Sequence, residues 1–412
     1  MKSITLSHPN QKVNAQIKLT GSKSESNRAL ILQALSKGRV SVSNLSAAAD
    51  TQTLQQILKT KLQAQNSKLD VGPAGTAMRF LTAFLSLQAG EFVLTGTKRM
   101  QERPIGILVD ALRTLGAQIE YIENEGFPPL KIKGPFVQKT NKISIKGNIS
   151  SQYISALLLI APSLPQGLAL HIEGELTSKP YVEMTLAMLA QAGVKHEWTD
   201  QIIRIENQDF SPSTITIEPD WSAASYWYAI AALANEAELF LPNLQIYSMQ
   251  GDSKITELMA NFGISSQFKN GGIALYKEDR KPIRKIFDMK DCPDLAQTII
   301  VCCAALGHEA SFTGLETLKI KETNRVKALQ NELSKLGVKL IEKNLVYKLD
   351  CSERKLPAKI SIETYEDHRM AMAFAPLGLV IDEVEIRDPD VVQKSYPNFW
   401  NDLKKAGFEI KM

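Results

Sequence analysis

The stretch Leu112-Arg-Thr-Leu-Gly116-Ala-Gln-Ile-Glu-Tyr121 places an apolar, helix-like segment before a glycine and an alternating segment after it. Four more stretches follow this pattern, and all five glycines stand 70 to 77 residues apart, the others being Gly193, Gly263, Gly337 and Gly407. A glycine after the last helical turn accepts the left-handed conformation that ends a helix, and the alternation behind it is typical of a half-buried strand. The pattern predicts a repeat in which a strand follows a helix.

A second series of segments interleaves with the first, and each member has a strand pattern after an Ala- and Leu-rich helix. They occupy residues 35–45, 87–96, 164–174, 234–244, 306–315 and 379–388. Each repeat thus contains helix, strand, helix and strand, and the chain has room for about six repeats, which we interpret as two domains of three. We predict an α/β fold built of α+β repeats. A doubly wound sheet is the alternative, although its buried parallel strands would be continuous Val and Ile runs.

The two ends of the chain bear on the domain division. The last repeat runs out at residue 412, and we expect the alternating segment Lys2–His8 to supply its missing strand. The C-terminal domain would then include the first residues of the chain. The Ser- and Pro-containing segment 211–220 is the best candidate for a crossing between domains.

The composition argues against several classes of protein. Lys and Arg number 48 against 44 Asp and Glu, and the resulting net charge of +4 gives no general case for binding nucleic acid or a membrane surface. The four cysteines form no C-x-x-C pair and the five histidines are scattered, so neither a disulfide framework nor a metal site is indicated. The N-terminus lacks the apolar core of a signal peptide, and no apolar stretch approaches the ~18 residues of a membrane span. We expect a cytoplasmic protein with reduced thiols.

Five segments combine hydroxyl side chains, glycine and basic residues where a helix is expected to begin: residues 20–28, 70–79, 99–104, 147–152 and 178–181. Free backbone N–H groups and the helix dipole make such positions suitable for anions, although each segment alone also fits an ordinary capping loop. The nucleotide-binding pattern G-x-x-x-x-G-K-[ST] is absent from the sequence. In the third segment we predict that Pro104 occupies the first position of a helix.

The C-terminal half adds carboxylates and bases in residues 292–294, 321–325, 367–369 and 394–397. We predict that Lys321 and Arg325 share one face of a helix, although a surface ladder of ion pairs would give the same pattern. Among the positions singled out in these motifs, eight cations stand against three anions: Lys23, Arg28, Arg79, Arg103, Lys321, Arg325, Arg369 and Lys394 against Asp294, Glu322 and Asp367. If these groups converge, a small polyanion is the natural ligand, and Glu322 among the cations is suited to proton transfer.

Ten segments occur in the order of one known family: GSKSESNRALIL, GPAGTAMRFL, RMQERPIG, SSQYISALL, SKPYVEMTL, QGDSKITEL, CPDLAQT, KETNRVKAL, DHRMAMAF and KSYPNF. On these segments the sequence resembles the 5-enolpyruvylshikimate-3-phosphate synthases, also called 3-phosphoshikimate 1-carboxyvinyltransferases, which belong to the enolpyruvyl transferases. The resemblance runs from residue 20 to residue 399 and so covers essentially the whole chain.

The resemblance implies a two-domain inside-out α/β barrel of six βαβαββ units, three in each domain. Residues 21–217 would form the N-terminal domain, and residues 1–20 with 218–412 the discontinuous C-terminal domain. The active site would lie in the cleft between them, and domain closure on binding would hinge near residues 20 and 218.

The implied activity is transfer of the enolpyruvyl group of phosphoenolpyruvate to the 5-hydroxyl of shikimate 3-phosphate, with release of phosphate. The resemblance implies addition and then elimination through a tetrahedral intermediate, in the shikimate pathway to chorismate and the aromatic amino acids. It implies that the two substrates are the partners, that the protein is a monomer and that no metal or organic cofactor takes part. This family is also the target of glyphosate, an analogue that competes for the phosphoenolpyruvate site.

The family's functional residues carry over by motif. The implied catalytic residues are Lys23, Asp294 and Glu322: Asp294 would accept the proton of the 5-hydroxyl, and the other two would exchange protons with the bridging oxygen and the methylene carbon. The implied shikimate 3-phosphate ligands are Lys23, Ser24, Arg28, Ser150, Ser151, Gln152, Ser178, Tyr181, Asp294 and Lys321. The implied phosphoenolpyruvate ligands are Lys23, Gly75, Arg103, Gln152, Arg325, Arg369 and Lys394.

Four positions depart from the family's usual pattern. Pro73 replaces an Asn beside the phosphoenolpyruvate site, and Phe80 replaces a Pro after Arg79, so the following helix is expected to start differently. We expect glyphosate to inhibit less strongly than in typical sensitive members. Asn324 stands where Asp is usual, and Thr317 stands where Asn is frequent, which affects a contact to the shikimate ring.

Two alternatives to this activity stay open. The enolpyruvyl transferase that uses UDP-N-acetylglucosamine shares the fold, but it usually carries a reactive cysteine in its first domain, whereas all four cysteines here lie in the C-terminal half. A non-catalytic anion-binding protein on the same scaffold would be marked by loss of the acid and base residues. The presence of Lys23, Asp294 and Glu322 argues against it.

Overall fold

The computed structural model describes residues 2–61, 67–148, 150–279 and 283–411. Of the segment 147–152 singled out in the sequence, Ile149 lies outside the described residues. The chain divides into two compact units, which we describe separately. The continuous unit is Gly21–Ile217, and the discontinuous unit is Met1–Thr20 with Glu218–Met412. Within the described ranges, no helix is long and apolar enough to cross a membrane.

Thirteen α-helices lie in the described residues: α1 Lys23–Leu35, α2 Ala49–Gln56, α3 Gly75–Leu85, α4 Lys98–Gln101, α5 Gly106–Leu115, α6 Ser151–Ile160, α7 Lys179–Gln191, α8 Trp221–Leu233, α9 Ile255–Ala260, α10 Ala296–Leu306, α11 Arg325–Ser334, α12 His368–Phe374 and α13 Phe399–Lys405. The strands of the continuous unit are β3 Val40–Ser43, β4 Ser67–Asp70, β5 Gly90–Thr95, β6 Gln118–Tyr121, β7 Leu130–Gly134, β8 Lys142–Lys146, β9 Leu168–Glu173, β10 Glu197–Thr199, β11 Ile202–Ile205 and β12 Ser213–Thr216. Those of the discontinuous unit are β1 Ser3–Ser7, β2 Lys12–Gln16, β13 Glu236–Pro242, β14 Ile264–Lys269, β15 Gly272–Lys277, β16 Ile286–Asp288, β17 Ala310–Thr313, β18 Lys339–Lys343, β19 Val346–Asp350, β20 Lys359–Ile362, β21 Glu383–Arg387 and β22 Glu409–Lys411.

The glycines that mark the repeat have the predicted role. Gly116 ends α5 with φ 118°, and the other four of the series also have positive φ, between 69° and 95°. Each is followed by a strand, and each segment of the second series also contains one. The sequence periodicity therefore correctly predicted the helix ends and eleven strands, because both depend on local backbone preferences.

The described residues form six separate sheets, three in each unit, and not the single sheet of the doubly wound alternative. Five of them have four strands and share one order, as in β4-β5-β7-β6, where the first pair is parallel and the other two pairs are antiparallel. The sixth sheet, β12-β3, contains two strands among the described residues. Repeats of the form βαβαββ thus account for the periodicity near 70 residues.

The N-terminal segment completes two sheets of the discontinuous unit. Strand β1 pairs with β21 and with β22, which confirms that the alternating N-terminal segment supplies the missing strand of the last repeat. Strand β2 pairs in parallel with β13 and gives that sheet its first strand. The first strands of the chain therefore lie beside strands more than 200 residues later.

Buried helices form the centre of each unit. In the discontinuous unit α8, α10 and α12 pack against one another, and nearly all of their residues are buried. In the continuous unit α1, α3 and α6 pack together in the same way, with α7 beside them. Because the first helix of each repeat packs against its counterparts, the helix starts singled out in the sequence lie near one another within each unit.

Candidate active site

Hydroxyl residues precede three helices of the continuous unit, and two of them cap their helix through the side chain. The Ser22 hydroxyl accepts a hydrogen bond from the backbone N–H of Glu25 and caps α1, and Ser150 accepts one from Gln152 and caps α6. Ser178 precedes α7 in a left-handed conformation with φ 56°. These hydroxyl residues therefore do act as helix starts, which leaves N–H groups of the first turns available to a ligand.

Arg28, on α1, forms hydrogen bonds with residues of α1, α6 and α7. Its Nε donates to Thr185 Oγ1 at 2.8 Å, and its Nη2 donates to Ser155 Oγ at 3.0 Å and to the carbonyl of Tyr181 at 3.1 Å. Its Nη1 donates to the carbonyl of Ser24 at 2.9 Å. Burial lowers the pKa of Arg28 to about 10, well above neutral pH, so the guanidinium stays charged. Arg28 thus places a fixed positive charge among the first turns of α1, α6 and α7.

Two further contacts join groups predicted from the sequence. Gln152, in the first turn of α6, donates from Nε2 to Thr76 Oγ1 at 3.1 Å, which brings the starts of α6 and α3 together. Lys23, the first residue of α1, has its Nζ 3.3 Å from Oδ2 of Asp50 on α2. Asp50 is almost fully buried, and no sequence motif singled it out. It holds the Lys23 ammonium group in place.

Gly75 starts α3 against the guanidinium of Arg103. A β-carbon at position 75 would lie only 2.6 Å from Nη1 of Arg103, so a glycine is required for this approach. Both residues are buried, and both belong to the phosphoenolpyruvate ligands that the resemblance implies.

The prediction that Pro104 opens a helix is wrong. Helix α5 begins two residues later, at Gly106. The Pro104 carbonyl instead accepts hydrogen bonds from Arg79 Nη2 at 2.9 Å and from the Tyr153 hydroxyl at 2.5 Å. These two donors occupy the carbonyl that would otherwise accept a hydrogen bond within a helix beginning at Pro104.

Phe80 does not stand at a helix start, since α3 begins five residues earlier at Gly75, and a different helix start from that of Pro-containing relatives stays a prediction. It lies inside the helix, fully buried, and the guanidinium carbon of Arg28 is 5.5 Å from its ring centroid. A proline at this interior position would lack the backbone N–H and clash with the preceding turn. Phe80 therefore gives a continuous helix and a cation–π contact to Arg28. Weaker inhibition by glyphosate stays a prediction.

Arg325 is the centre of the discontinuous unit's polar cluster. Its Nε donates to Asp367 Oδ2 at 2.7 Å, its Nη1 to Asp294 Oδ1 at 3.1 Å and its Nη2 to Glu322 Oε2 at 2.9 Å. Burial works to lower the pKa of Arg325, but the charges of Asp367, Glu322 and Asp294 outweigh it and hold that pKa above its ordinary value. The three carboxylates are thereby fixed around one guanidinium.

Arg369 holds the other oxygen of Asp294. Its Nη2 donates to Asp294 Oδ2 at 2.7 Å and to Ser222 Oγ at 3.3 Å, and its Nη1 donates to the Asp294 carbonyl at 3.2 Å. The Asp367 side chain caps α12 by accepting from the backbone N–H of Arg369 at 2.8 Å. Asp294 therefore lies between two arginines, and its side chain is 20% exposed, so a substrate can reach it.

Glu322 and Lys394 complete this cluster. Lys394 Nζ lies 3.7 Å from Glu322 Oε1, and both side chains are mostly buried. Lys321 and Glu322 lie in the turn between a short 3-10 helix, Glu316–Ile320, and α11. The prediction that Lys321 and Arg325 share a helix face is therefore wrong, because the helix begins only at Arg325.

Asn324 sets that helix start. Its Oδ1 accepts from the backbone N–H of Lys327 at 3.1 Å, as an aspartate would. We expect Asn324→Ala to lower the free energy of unfolding by about 1 kcal/mol and Asn324→Asp to change it by only a few tenths. Urea unfolding of both variants tests this. Equal losses in the two variants would contradict a capping role.

The cluster around Arg325 in the discontinuous unit is balanced in charge. It combines three cations, Arg325, Arg369 and Lys394, with the carboxylates of Asp294, Glu322 and Asp367. A fourth carboxylate, Asp252, contacts the cluster through Ser222. In the continuous unit, by contrast, Arg28, Arg79 and Arg103 are buried near helix starts. Among the described residues, no group of His, Cys, Asp or Glu is arranged to hold a metal ion.

The predicted residues thus fall into two groups, one in each unit. Lys23, Ser24, Arg28, Gly75, Arg103, Ser150, Ser151, Gln152, Ser178 and Tyr181 lie at helix starts of the continuous unit, and Asp294, Lys321, Glu322, Arg325, Arg369 and Lys394 lie in the discontinuous unit. Sequence reasoning missed the residues that hold these groups, above all Asp50, Ser222 and Asp252. Only Asp252 stood in a motif that had been singled out, QGDSKITEL.

Known proteins of similar sequence point to one family. The family model described as EPSP synthase (3-phosphoshikimate 1-carboxyvinyltransferase) matches residues 7–70 and 59–403. A 3-phosphoshikimate 1-carboxyvinyltransferase of Bacteroides fragilis (strain YCH46) is 50% identical over 409 residues, which cover 99% of this chain and 98% of the relative. Another, from Xenorhabdus nematophila, is 37% identical over 431 residues and covers 98% and 99% of the two chains.

Solved structures agree on the fold. EPSP synthase from Acinetobacter baumannii matches with a TM-score of 0.77 over 100% of both chains, at 21% identity. The enolpyruvyl transferase NikO from Streptomyces tendae matches with a TM-score of 0.72 at 14% identity, over 99% of this chain and 98% of that one. At these identities the likeness establishes the two-domain α/β fold, and the family follows from the sequence matches. The chain belongs to the EPSP synthase, or 3-phosphoshikimate 1-carboxyvinyltransferase, family.

Proposed function

We propose that the chain carries out its family's reaction, transfer of the enolpyruvyl group of phosphoenolpyruvate to shikimate 3-phosphate, with the residues of both units acting on the same two substrates. The observation that carries this proposal is the arrangement around Arg325, which holds the carboxyl groups of Asp294 and Glu322 on one guanidinium. A base for the hydroxyl and an acid for the methylene carbon are the two proton-transfer groups that the reaction needs.

The continuous unit is proposed to bind shikimate 3-phosphate. Helix starts are suited to its phosphate, and the proposed phosphate ligands are Ser150, Ser151 and Ser178, together with Lys321 of the discontinuous unit. Ser24 and Arg28 would bind the carboxylate, and Gln152 and Tyr181 would line the ring. Support comes from Arg28, which connects the first turns of three helices and would hold these groups in one geometry before a ligand arrives.

Phosphoenolpyruvate is proposed to bind to a set of cations. The members are Lys23, Arg103, Arg325, Arg369 and Lys394, with the backbone of Gly75 and the amide of Gln152. Arginine forks suit its carboxylate and phosphate, and fixed positive charges stabilise the charge that develops on the leaving phosphate. Because Arg325 and Arg369 are already held by carboxylates, they are oriented before the substrate binds.

The proposed reaction moves two protons. Asp294 takes the proton of the 5-hydroxyl as the oxygen attacks the enol carbon, and Glu322 or Lys23 gives a proton to the methylene carbon, which forms a tetrahedral ketal phosphate. Elimination then returns the proton from the methyl carbon, breaks the bond to phosphate and restores the double bond. Oδ1 of Asp294 accepts from Arg325 and Oδ2 accepts from Arg369, so both oxygens of the proposed base are oriented by arginines.

The direct test is phosphate release by purified protein given phosphoenolpyruvate with shikimate 3-phosphate. A parallel reaction contains UDP-N-acetylglucosamine as acceptor. Release only with shikimate 3-phosphate is the expected result. Phosphate release only with the sugar nucleotide would reassign the acceptor. No phosphate release with either acceptor would favour an anion-binding protein without catalysis.

Gly75→Ala tests the phosphoenolpyruvate site separately. The new β-carbon would displace the Arg103 guanidinium, so we expect KM for phosphoenolpyruvate to rise ~10-fold or more, the loss of about one charge-assisted hydrogen bond. KM for shikimate 3-phosphate should stay near that of the unmodified chain. Gly378→Ala is the matched control, because a β-carbon there meets its neighbours at 3.4 Å or more. Equal KM values for phosphoenolpyruvate in the two variants would remove Arg103 from the proposed site.

A further inference from the structure

Asp252 is a buried carboxylate that none of the proposed steps uses. It lies in the short 3-10 helix Gly251–Lys254 of the discontinuous unit and is only 3% exposed. One oxygen, Oδ2, accepts a hydrogen bond from the Ser222 hydroxyl. The other oxygen, Oδ1, is buried and has no hydrogen-bond donor among the described residues. A buried carboxylate with an unsatisfied oxygen destabilises the folded state, so its presence calls for an explanation.

A chain of contacts leads from Asp252 to the proposed base. Ser222 donates to Asp252 and accepts from Nη2 of Arg369 at 3.3 Å. The same Nη2 donates to Asp294 Oδ2 at 2.7 Å. Asp252, Ser222, Arg369 and Asp294 therefore form one continuous network in which the arginine lies between two carboxylates.

The charged groups around Asp252 come from several elements. Asp294 and Asp220 are negative neighbours, and Arg369 is the positive one. The thiol of Cys292, before α10, also interacts with Asp252. Burial raises the pKa of Asp252 to about 7, with the charge of Asp294 adding to the rise and Arg369 and the Ser222 hydrogen bond opposing it. Asp252 thus changes its charge in the pH range in which enzymes commonly work.

We propose that Asp252 is a positioning residue for the proposed reaction, which fixes Arg369 on Asp294 through Ser222 and, as a second buried negative charge, makes Asp294 a stronger base. This inference rests on the proposed role of Asp294. An ionised Asp252 disfavours a second negative charge nearby and so raises the affinity of Asp294 for a proton. Removal of the Asp252 charge should therefore make Asp294 a weaker base.

The first experiment needs no turnover. Carboxyl carbon NMR of ¹³C-aspartate-labelled, substrate-free protein follows the titration of Asp294, whose signal is assigned by its loss in Asp294→Asn. In the unmodified chain the two carboxylates should titrate as a coupled pair, and the Asp294 signal should show a second step near pH 7, where Asp252 ionises. Asp252→Asn should remove that second step and leave the first in place, because Asp252 is already uncharged at acid pH. An Asp294 titration that is the same in both proteins would overturn the proposal.

The second experiment measures the pH dependence of kcat/KM. In the unmodified enzyme we expect kcat/KM to rise as Asp252 ionises near pH 7, and Asp252→Asn should lose this rise, with kcat at high pH lower by about threefold because a weaker base reacts more slowly. Ser222→Ala keeps the carboxylate but breaks the link to Arg369, so it should lower kcat/KM while the rise near pH 7 remains. The exposed Asp291→Asn, near the base in sequence, is the matched control and should change neither quantity.

The two experiments separate the two hypotheses. If the unmodified enzyme shows no turnover but its Asp294 signal has the step near pH 7 that Asp252→Asn loses, the proposed function is overturned and the coupling of the carboxylates is established. If the enzyme turns over shikimate 3-phosphate but its Asp294 signal is the same in both proteins, only the role of Asp252 is overturned. A folding check is built in: because the raised pKa of Asp252 removes stability as the pH rises from its ordinary value of 3.8 through about 7, Asp252→Asn should become more stable relative to the unmodified chain across that window.

Discussion

Asp294→Asn is expected to lower kcat about 10²–10⁴-fold, the loss typical of a removed general base. The asparagine keeps the shape and can still accept a hydrogen bond from one of the two arginines, but it cannot take the proton of the attacking hydroxyl. Steady-state phosphate release with both substrates at saturation measures kcat, and equilibrium binding of shikimate 3-phosphate should change far less. The side chain is partly exposed, so substrate can reach the base.

Loss of the Asp294 charge also affects Arg325 and Arg369, which lose one of their carboxylate partners. Thermal unfolding is therefore needed to show that the variant is folded at the assay temperature. Asp291→Asn carries the same chemical change at an exposed position and should retain full turnover. A folded Asp294→Asn with kcat near that of this control would end the assignment of Asp294 as the base.

Glu322→Gln is expected to preserve binding of shikimate 3-phosphate and to depress turnover, also by about 10²–10⁴-fold. The amide oxygen of the glutamine can still accept a hydrogen bond from Arg325. The amide has no acidic proton, however, and cannot exchange one with the methylene carbon. Exchange of the methylene hydrogens of phosphoenolpyruvate with deuterium in D₂O gives a second measurement. This exchange should be lost together with turnover, because both require proton transfer at the same carbon.

The control for Glu322 is Glu316→Gln, an exposed carboxylate on the short helix just before it. It should leave turnover and exchange unchanged. If Glu322→Gln retained full turnover, its role in proton transfer would be refuted and Lys23 would become the remaining candidate. If turnover fell while deuterium exchange persisted, Glu322 would act in a later step than protonation of the carbon.

The local structure around several candidate site residues was predictable, because these residues stand in short motifs at helix starts. Gly75 and Ser150 begin helices for reasons of local conformation and capping, and the sequence places them there. Two local predictions failed where distant groups decide the backbone path. Pro104 does not open α5, because donors on α3 and α6 bind its carbonyl, and Lys321 is not helical, because Asn324 caps α11.

The sequence by itself determined the repeat, the helix ends at glycine, the strands that follow them and the family, because each of these depends on neighbouring residues or on motifs in a fixed order. Only the tertiary structure decided which charges meet. Lys23 meets Asp50 across 27 positions, Arg325 meets Asp367 across 42, and Arg369 meets Asp294 across 75. Such pairs form when helices pack and bury charged groups, because a partner of opposite charge offsets the cost of removing each group from water. The partners are far apart in the chain, so no local sequence pattern predicts them.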